Sequence, residues 1–190
     1  ELVDWPAVEF VESGWDVKHL IRLMVTSSTY RQGSGFSPER VELDPENRLV
    51  GRGARARLPA MLLRDQALAV AGLLKNDIGG HPVYPHQPEG LWKDFSFGKI
   101  SYPHPDTEDH LHRRSLYSFW RRTSAPPNMF DSSTRQGCTV KASTTNTPLH
   151  ALTLLNDETY VEAARALAGR MLNEGGDDTG DRLDFAFQLA

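Results

Sequence analysis

Residues 135–172 read RQGCTVKASTTNTPLHALTLLNDETYVEAARALAGRML, and this run decides the fold class because it holds two helices whose ends are both marked by residue type. Thr147 before Pro148 is an N-cap followed by a proline at the first helical position, where the missing N–H is not needed. Leu149, Leu152 and Leu155 give the first helix its expected inner face. Asn156-Asp157 breaks it, and Asp157 is placed to cap the second helix. There Tyr160, Ala164, Leu167 or Ala168, and Met171 form an amphipathic stripe over about four turns, until Asn173 to Gly176 end it.

Upstream, the same grammar recurs. Leu2, Trp5, Val8, Phe10 and Val11 have helical spacing that Gly14 ends, and Asp16 stands where the next helix needs a cap. That helix carries Val17, Leu20, Ile21, Met24 and Val25 at i, i+3, i+4, i+7, i+8, with Lys18 and Arg22 on the polar side. Asp44-Pro45 reads as N-cap and first-turn proline of a short helix ending near Gly51 or Gly53. From Leu58 to Leu74 the chain is apolar on most sides, which predicts the most buried helix, with Leu63, Ala67, Val70 and Leu74 in line. Asn76 to Gly80 is expected to close it. Residues 80–110 hold five prolines, Pro82, Pro85, Pro88, Pro103 and Pro105, which predicts a long loop-rich region. Residues 111–122 fit a helix face loosely, but the alternation of Tyr117, Phe119 and Arg121 favours a strand. A last helix is expected after Asp181.

The chain is thus read as mainly α, an irregular helical domain with a long Pro/His-rich loop region and room for a short β element. Its 190 residues, 39% of them hydrophobic, suffice for one domain. Within it lie a helical part at 1–79, a loop-rich part at 80–135 and a helical part at 136–190. The apolar run that reaches the last residue, Ala190, without a stop signal leads us to expect a piece of a larger domain or protein.

A formal net charge of -4 and a pI near 6.0 make nucleic acid a poor partner. No apolar run approaches the roughly 18–20 residues of a transmembrane segment. A single cysteine, Cys138, excludes an internal disulfide and a CxxCH haem attachment, so no cofactor is expected within this chain.

Three groups of residues are chemically suggestive. His81, His86, His104, His110 and His112 fall between 81 and 112, beside Asp94, Asp106, Glu108 and Asp109. Of these, His104, His110 and His112 are the candidate metal ligands. His110 and His112 share a face only on a strand, and loop histidines more often make ordinary hydrogen bonds than ligate. Cys138 invites a nucleophile reading with His150 or His112 as base, although a free cysteine is more commonly a packing residue. Arg48, Arg52, Arg55 and Arg57 form one arginine cluster, and Arg113, Arg114, Arg121 and Arg122 another beside Tyr117 and Trp120. Arginine interleaved with aromatics can hold sugars, phosphates or carboxylates, while 25 acidic residues offer the simpler fate of ion pairing. Trp120, Arg121, Arg122, Cys138 and Asn146 are the candidate ligand-binding residues. Thr145, Asn146 and Thr147 together exceed what one cap requires, and that polar corner with Cys138 is expected to face the histidine-rich loop.

Four segments carry a resemblance: LVDWPAVEFVESGWDVKHLIRLMVTSSTYRQ (2–32), DPENRLVGRGARARLPAMLLRDQALAVAGLL (44–74), RRSLYSFWRRT (113–123) and TNTPLHALTLLNDETYVEAARALA (145–168). In this order they resemble the C-terminal domain of unknown function of large planctomycete-type proteins that often also carry a c-type cytochrome domain. The resemblance implies an exported, periplasmic or cell-surface protein, with haem c in a separate domain and that cytochrome domain as the partner within the same polypeptide or complex. It implies no catalytic residue. Two functions follow as expectations: a domain of a haem-associated redox or electron-transfer protein, or a non-catalytic binding or scaffold module, for instance for polysaccharide, using Trp92, Tyr102, Tyr117, Phe119 and Trp120 with the arginines.

Overall fold

The computed structural model describes residues 2–35, 37–53, 55, 57–87, 90–95, 97–98, 111–120, 125–126, 128–132, 137–138, 140 and 144–190. The described chain is mainly helical and forms no sheet. It divides into two compact units, residues 1–56 and 57–190.

In the first unit, α1 (Asp4–Glu12) and α2 (Val17–Thr26) form a helical pair. Gly14 ends α1 with φ +75°, giving its N–H to Val11 while Trp15 gives its N–H to Phe10. These are the two crossed bonds of a Schellman cap, and the Trp15 ring closes edge-on against Phe10 at 5.2 Å. The Asp16 carboxylate accepts the His19 N–H at 3.0 Å, as the sequence requires. His19 Nε2 also meets Glu9 Oε1 at 2.9 Å, tying α2 to α1.

The expected helix at 45–51 is not there. The short helix α3 lies earlier, at Pro38–Leu43, with Ser37 and Pro38 at its start and Asp44 at its end. Asp44 turns its carboxylate forward to the N–H groups of Arg48 and Leu49, at 2.9 and 2.8 Å. Arg52 donates to the carbonyls of Asp44 and Pro45 at 2.9 and 2.8 Å. Aspartate serves a turn as readily as a cap, and here the turn takes it.

Among its described residues the second unit contains α4 (Ala60–Val70), α5 (Leu91–Phe95), a 3₁₀ turn (Ser115–Tyr117), α6 (Pro148–Asn156), α7 (Glu158–Glu174) and α8 (Thr179–Leu189). The long helix α7 packs against α4, α6 and α8. Its core is built from Ala60, Leu68, Ala71, Val83, Trp92, Leu111, Met129, Tyr160 and Ala163.

Helix α4 is central, but its buried row is Ala60, Arg64 and Leu68, continued by Ala71, and not the expected Leu63, Ala67, Val70 and Leu74. An arginine occupies the middle of the core-facing row. The helix also ends before the expected 76–80. Gly72, at φ +75°, donates to Ala69 and Leu73 donates to Leu68, a second Schellman cap. Arg170 of α7 closes this end by donating from Nη1 to the Val70 carbonyl at 2.6 Å. A Cβ at Gly72 would sit 3.3 Å from Arg170 Cδ in a left-handed backbone. Gly72→Ala is therefore expected to cost about 1–2 kcal/mol, read as a lowered urea midpoint at unchanged slope; an unchanged midpoint would show that the cap is dispensable.

Residues 111–120 form no strand and no α-helix, only the 3₁₀ turn at Ser115–Tyr117. Two isolated parallel bridges, Lys75 with Arg113 and Val83 with Ser118, flank the 3₁₀ turn. The Val83 N–H donates to Tyr117 at 2.9 Å and the Phe119 N–H to Val83 at 2.6 Å. The alternation thus marks a segment read by its neighbours one bond at a time. In α6 the expected inner face is turned out: Leu149, Leu152 and Leu155 are exposed, and the buried residue is His150. The stripe expected of α7 holds in Tyr160, while Ala164 is exposed and Ala163 takes the buried place. Asp157 caps α7 through a bond from the Thr159 N–H at 3.0 Å.

Candidate functional site

Helices α6 and α7 meet without a linker. Asn156 ends the first, Asp157 terminates it and caps the second, and Glu158 begins the second, so three consecutive polar residues crowd one sharp corner. Opposite stands the 83–87 segment. It is fixed by the Val83 bonds to 117–119 and by the Tyr84, Phe119 and Trp92 rings, which lie 5.0 and 5.7 Å apart through Phe119. Trp92 Nε1 donates to Gln87 Oε1, which orients the Gln87 amide.

Between corner and segment lies a cleft of about 400 Å³, lined by His86, Gln87, Leu152, Thr153, Asn156, Asp157 and Glu158. His86 Nδ1 and Glu158 Oε2 bridge it at 2.8 Å. The fully buried Asn128 supports the corner by donating from Nδ2 to Asp157 Oδ1 and Thr159 Oγ1, both at 3.4 Å. Three buried polar atoms nearby, Gln87 Nε2, Asn128 Oδ1 and Tyr160 Oη, have no hydrogen-bond partner among the described residues. Burial, with the Asp157 charge adding to it, pushes the Tyr160 phenol up to about 12, so it stays a neutral donor.

A second polar assembly precedes α6. The Asp131 carboxylate accepts the Thr145 N–H at 2.6 Å and the Thr145 hydroxyl at 2.7 Å. His150 Nε2 stands 3.5 Å from that hydroxyl and 3.7 Å from Asp131 Oδ1, with its ring stacked on Phe130 at 4.2 Å. The surplus polarity of Thr145 before Pro148 is spent here, fastening residue 131 to the start of α6. Asp131 is held below its ordinary 3.8, first by the Thr145 backbone bond and then by its hydroxyl. A depressed carboxylate stabilises the folded chain at pH values above its unfolded pKa, and that contribution disappears as the pH falls through its folded pKa. Acid titration of the urea midpoint is expected to show a loss below about pH 4 that Asp131→Asn flattens. Identical acid limbs in the two proteins would remove Asp131 from the account.

Of the residues singled out in the sequence, His112 is buried and faces Glu162 at 3.0 Å. Trp120 is half-buried, Asn146 is exposed and Cys138 is an exposed free thiol. His104, His110, Arg121 and Arg122 lie outside the described residues, as does Tyr102. Among the described residues no three His, Cys, Asp or Glu side chains gather as a metal site. Arg113 is buried and used by the fold, and Arg114 Nε stands 3.8 Å from Asp65. Thr145 meets Asp131 and His150, while His86, at the other end of α6, meets Glu158.

Of the cleft residues, His86 alone belongs to a group singled out in the sequence, the histidines of 81–112. The Asn156-Asp157 pair was visible, but as punctuation; its second use arises only because the two helices join without a spacer. No local signal marks Gln87, whose place depends on Trp92. No described helix is long and apolar enough to cross a membrane. A family model described as "PSD1: Protein of unknown function (DUF1553)" matches residues 1–190. No curated protein and no solved structure matches the chain.

Proposed function

The chain belongs to the PSD1 family of proteins of unknown function, and from that premise we propose that it is a binding module for a small hydroxyl-rich ligand, a saccharide unit, held in the cleft at the α6–α7 corner. One observation carries this reading. The cleft gathers five planar polar side chains, His86, Gln87, Asn156, Asp157 and Glu158, around the apolar Leu152. Amides, carboxylates and imidazole match the paired donors and acceptors of neighbouring hydroxyls, and an apolar patch suits the C–H face of a sugar ring. Stacking on Trp92 and Phe119 is not part of the reading, since Trp92 is buried and both rings pack on each other.

The setting we propose is an exported or periplasmic protein in which a c-type haem domain adjoins this module, so that redox chemistry belongs to the neighbour and ligand capture to this chain. The resemblance of the four segments supports it. Haem staining and fractionation of the complete gene product test it; a haem-free protein in the cytoplasm would remove this setting and leave the cleft untouched.

Calorimetry and tryptophan fluorescence against a panel of oligosaccharides test the module. Saturable binding in the micromolar to millimolar range is expected, weakened about fivefold by Asn156→Ala. A panel in which no saccharide binds would sink the reading.

A further inference from the structure

We propose that the apolar side of the α1–α2 pair is a self-association surface whose occupant is a second copy of this chain, the two pairs together making a four-helix bundle. The pair has no core of its own, since none of the described residues of 1–56 is buried. Its helices, of nine and ten residues, are shorter than the roughly 12–15 residues at which a helix holds itself in water. Tertiary cover has to supply the rest.

The pair has two unlike sides. Glu9 and His19 meet on one of them, and Glu12 and Arg22, each three residues further on, share it. Phe10 and Leu20, one position on from Glu9 and His19 and both half-buried, turn to the other side, where the Trp15 ring closes on Phe10. Helical spacing brings Val3 and Ala7 at the start of α1, and Val17, Ile21 and Met24 of α2, to that same side. Val3, Trp15, Val17, Ile21 and Met24 are between 47 and 80% exposed. Such a surface is of the order of the roughly 800 Å² that each side of a stable pair buries, and it resembles a domain core cut in half.

Charge favours a second copy and sets the order of its helices. α1 carries Asp4, Glu9 and Glu12 and no base, while α2 carries Lys18, His19 and Arg22 and no acid. Laying α1 on α1 or α2 on α2 of the second copy sets like charges together, whereas α1 on the other copy's α2 sets opposite charges together. A two-fold axis along the helices makes that contact twice and keeps it antiparallel. An anionic lipid surface is the poorer occupant, because residues 1–56 hold nine acidic and seven basic residues.

Sedimentation velocity of the full chain from about 1 to 200 µM is expected to show a reversible dimer with a micromolar dissociation constant. Ile21→Asp should raise that constant about tenfold or more, while Glu12→Gln, on the polar side, leaves it within about threefold; circular dichroism checks that both variants keep their helices. In a Cys138→Ser background, which removes the exposed native thiol, Ala7→Cys and Met24→Cys chains should cross-link on mild oxidation when mixed and not when alone. A monomer at every concentration would overturn the proposal, as would a dimer that Ile21→Asp leaves intact. A monomer that sediments with phosphatidylglycerol vesicles would overturn it in favour of a membrane surface. Cross-linking of Ala7→Cys chains with one another would overturn the helix order.

Discussion

Arg64→Met is expected to cost about 3 kcal/mol or more of folding stability, enough to threaten the fold of residues 57–190. Arg64 is 1% exposed in the middle of α4. Its Nη1 donates to the Arg113 carbonyl at 2.9 Å and to Ser115 Oγ at 3.2 Å, and its Nη2 donates to the Leu111 carbonyl. Burial pushes the guanidinium down from its ordinary value, against the pull of Asp65, yet an arginine stays charged throughout the physiological range. Replacing both partners of a buried ion pair by apolar groups is often neutral. That escape is closed here, because two of its three acceptors are main-chain carbonyls that no substitution removes. Methionine of similar length would fill the volume and strand them. Arg64→Lys, which keeps the charge but loses the fork, should recover less than half of the loss. Equilibrium urea unfolding of the full chain measures all three proteins; a methionine variant within about 1 kcal/mol of the parent would refute the hub.

Arg113→Ala is expected to cost about 2–4 kcal/mol and to release residues 77–81 selectively. Arg113 is also buried. Its Nη1 donates to the His81 carbonyl and its Nη2 to those of Asp77, at 3.0 Å, and Gly79. The guanidinium lies over the Tyr117 ring at 4.2 Å, and the Tyr117 hydroxyl accepts the Gly79 N–H at 2.9 Å. The alanine variant should show faster amide exchange at Gly79 while α7 keeps its protection. Tyr117→Phe separates the two supports, since it deletes only the bond to Gly79, worth about 1 kcal/mol. Uniform loss of protection across the second unit in Arg113→Ala would mean that the loop is not held locally.

The helix starts capped by Asp16 and Asp157 were legible, because a cap is a local event, whereas the end of α4 and the start of α8, at Thr179 and not after Asp181, were not. Asp16 and Asp157 accept from N–H groups two or three residues ahead, and Pro148 begins α6 where its ring requires. Which face of a helix is buried was less legible. In α4 nearly every side is apolar, so the pattern offers no contrast, and the position that decides the packing holds an arginine whose acceptors lie about fifty residues away. In α6 the leucine row looked like an inner face, yet His150 is turned inward by Phe130, Asp131 and Thr145, none of which belongs to the helix. Asp44 shows the reverse failure: a correct sense that the residue organises its neighbours, attached to the wrong structure. The cleft was least legible of all, since it joins residues 86–87 to residues 152–158 through ring packing that no short window contains.

The two buried arginines also bear on how this chain tolerates change. Their fixed partners are carbonyls at 77, 79, 81, 111 and 113, which every amino acid supplies. Apart from the Arg64 bond to Ser115 Oγ, the recognition is blind to the side chains of the loops it fastens. Asp77 and His81, both exposed, can therefore drift in a randomised library with the backbone path preserved, while positions 64 and 113 accept almost nothing else. In such a library two positions would carry the information of a much longer stretch, and the loops so fastened would be free to diversify without first being restabilised.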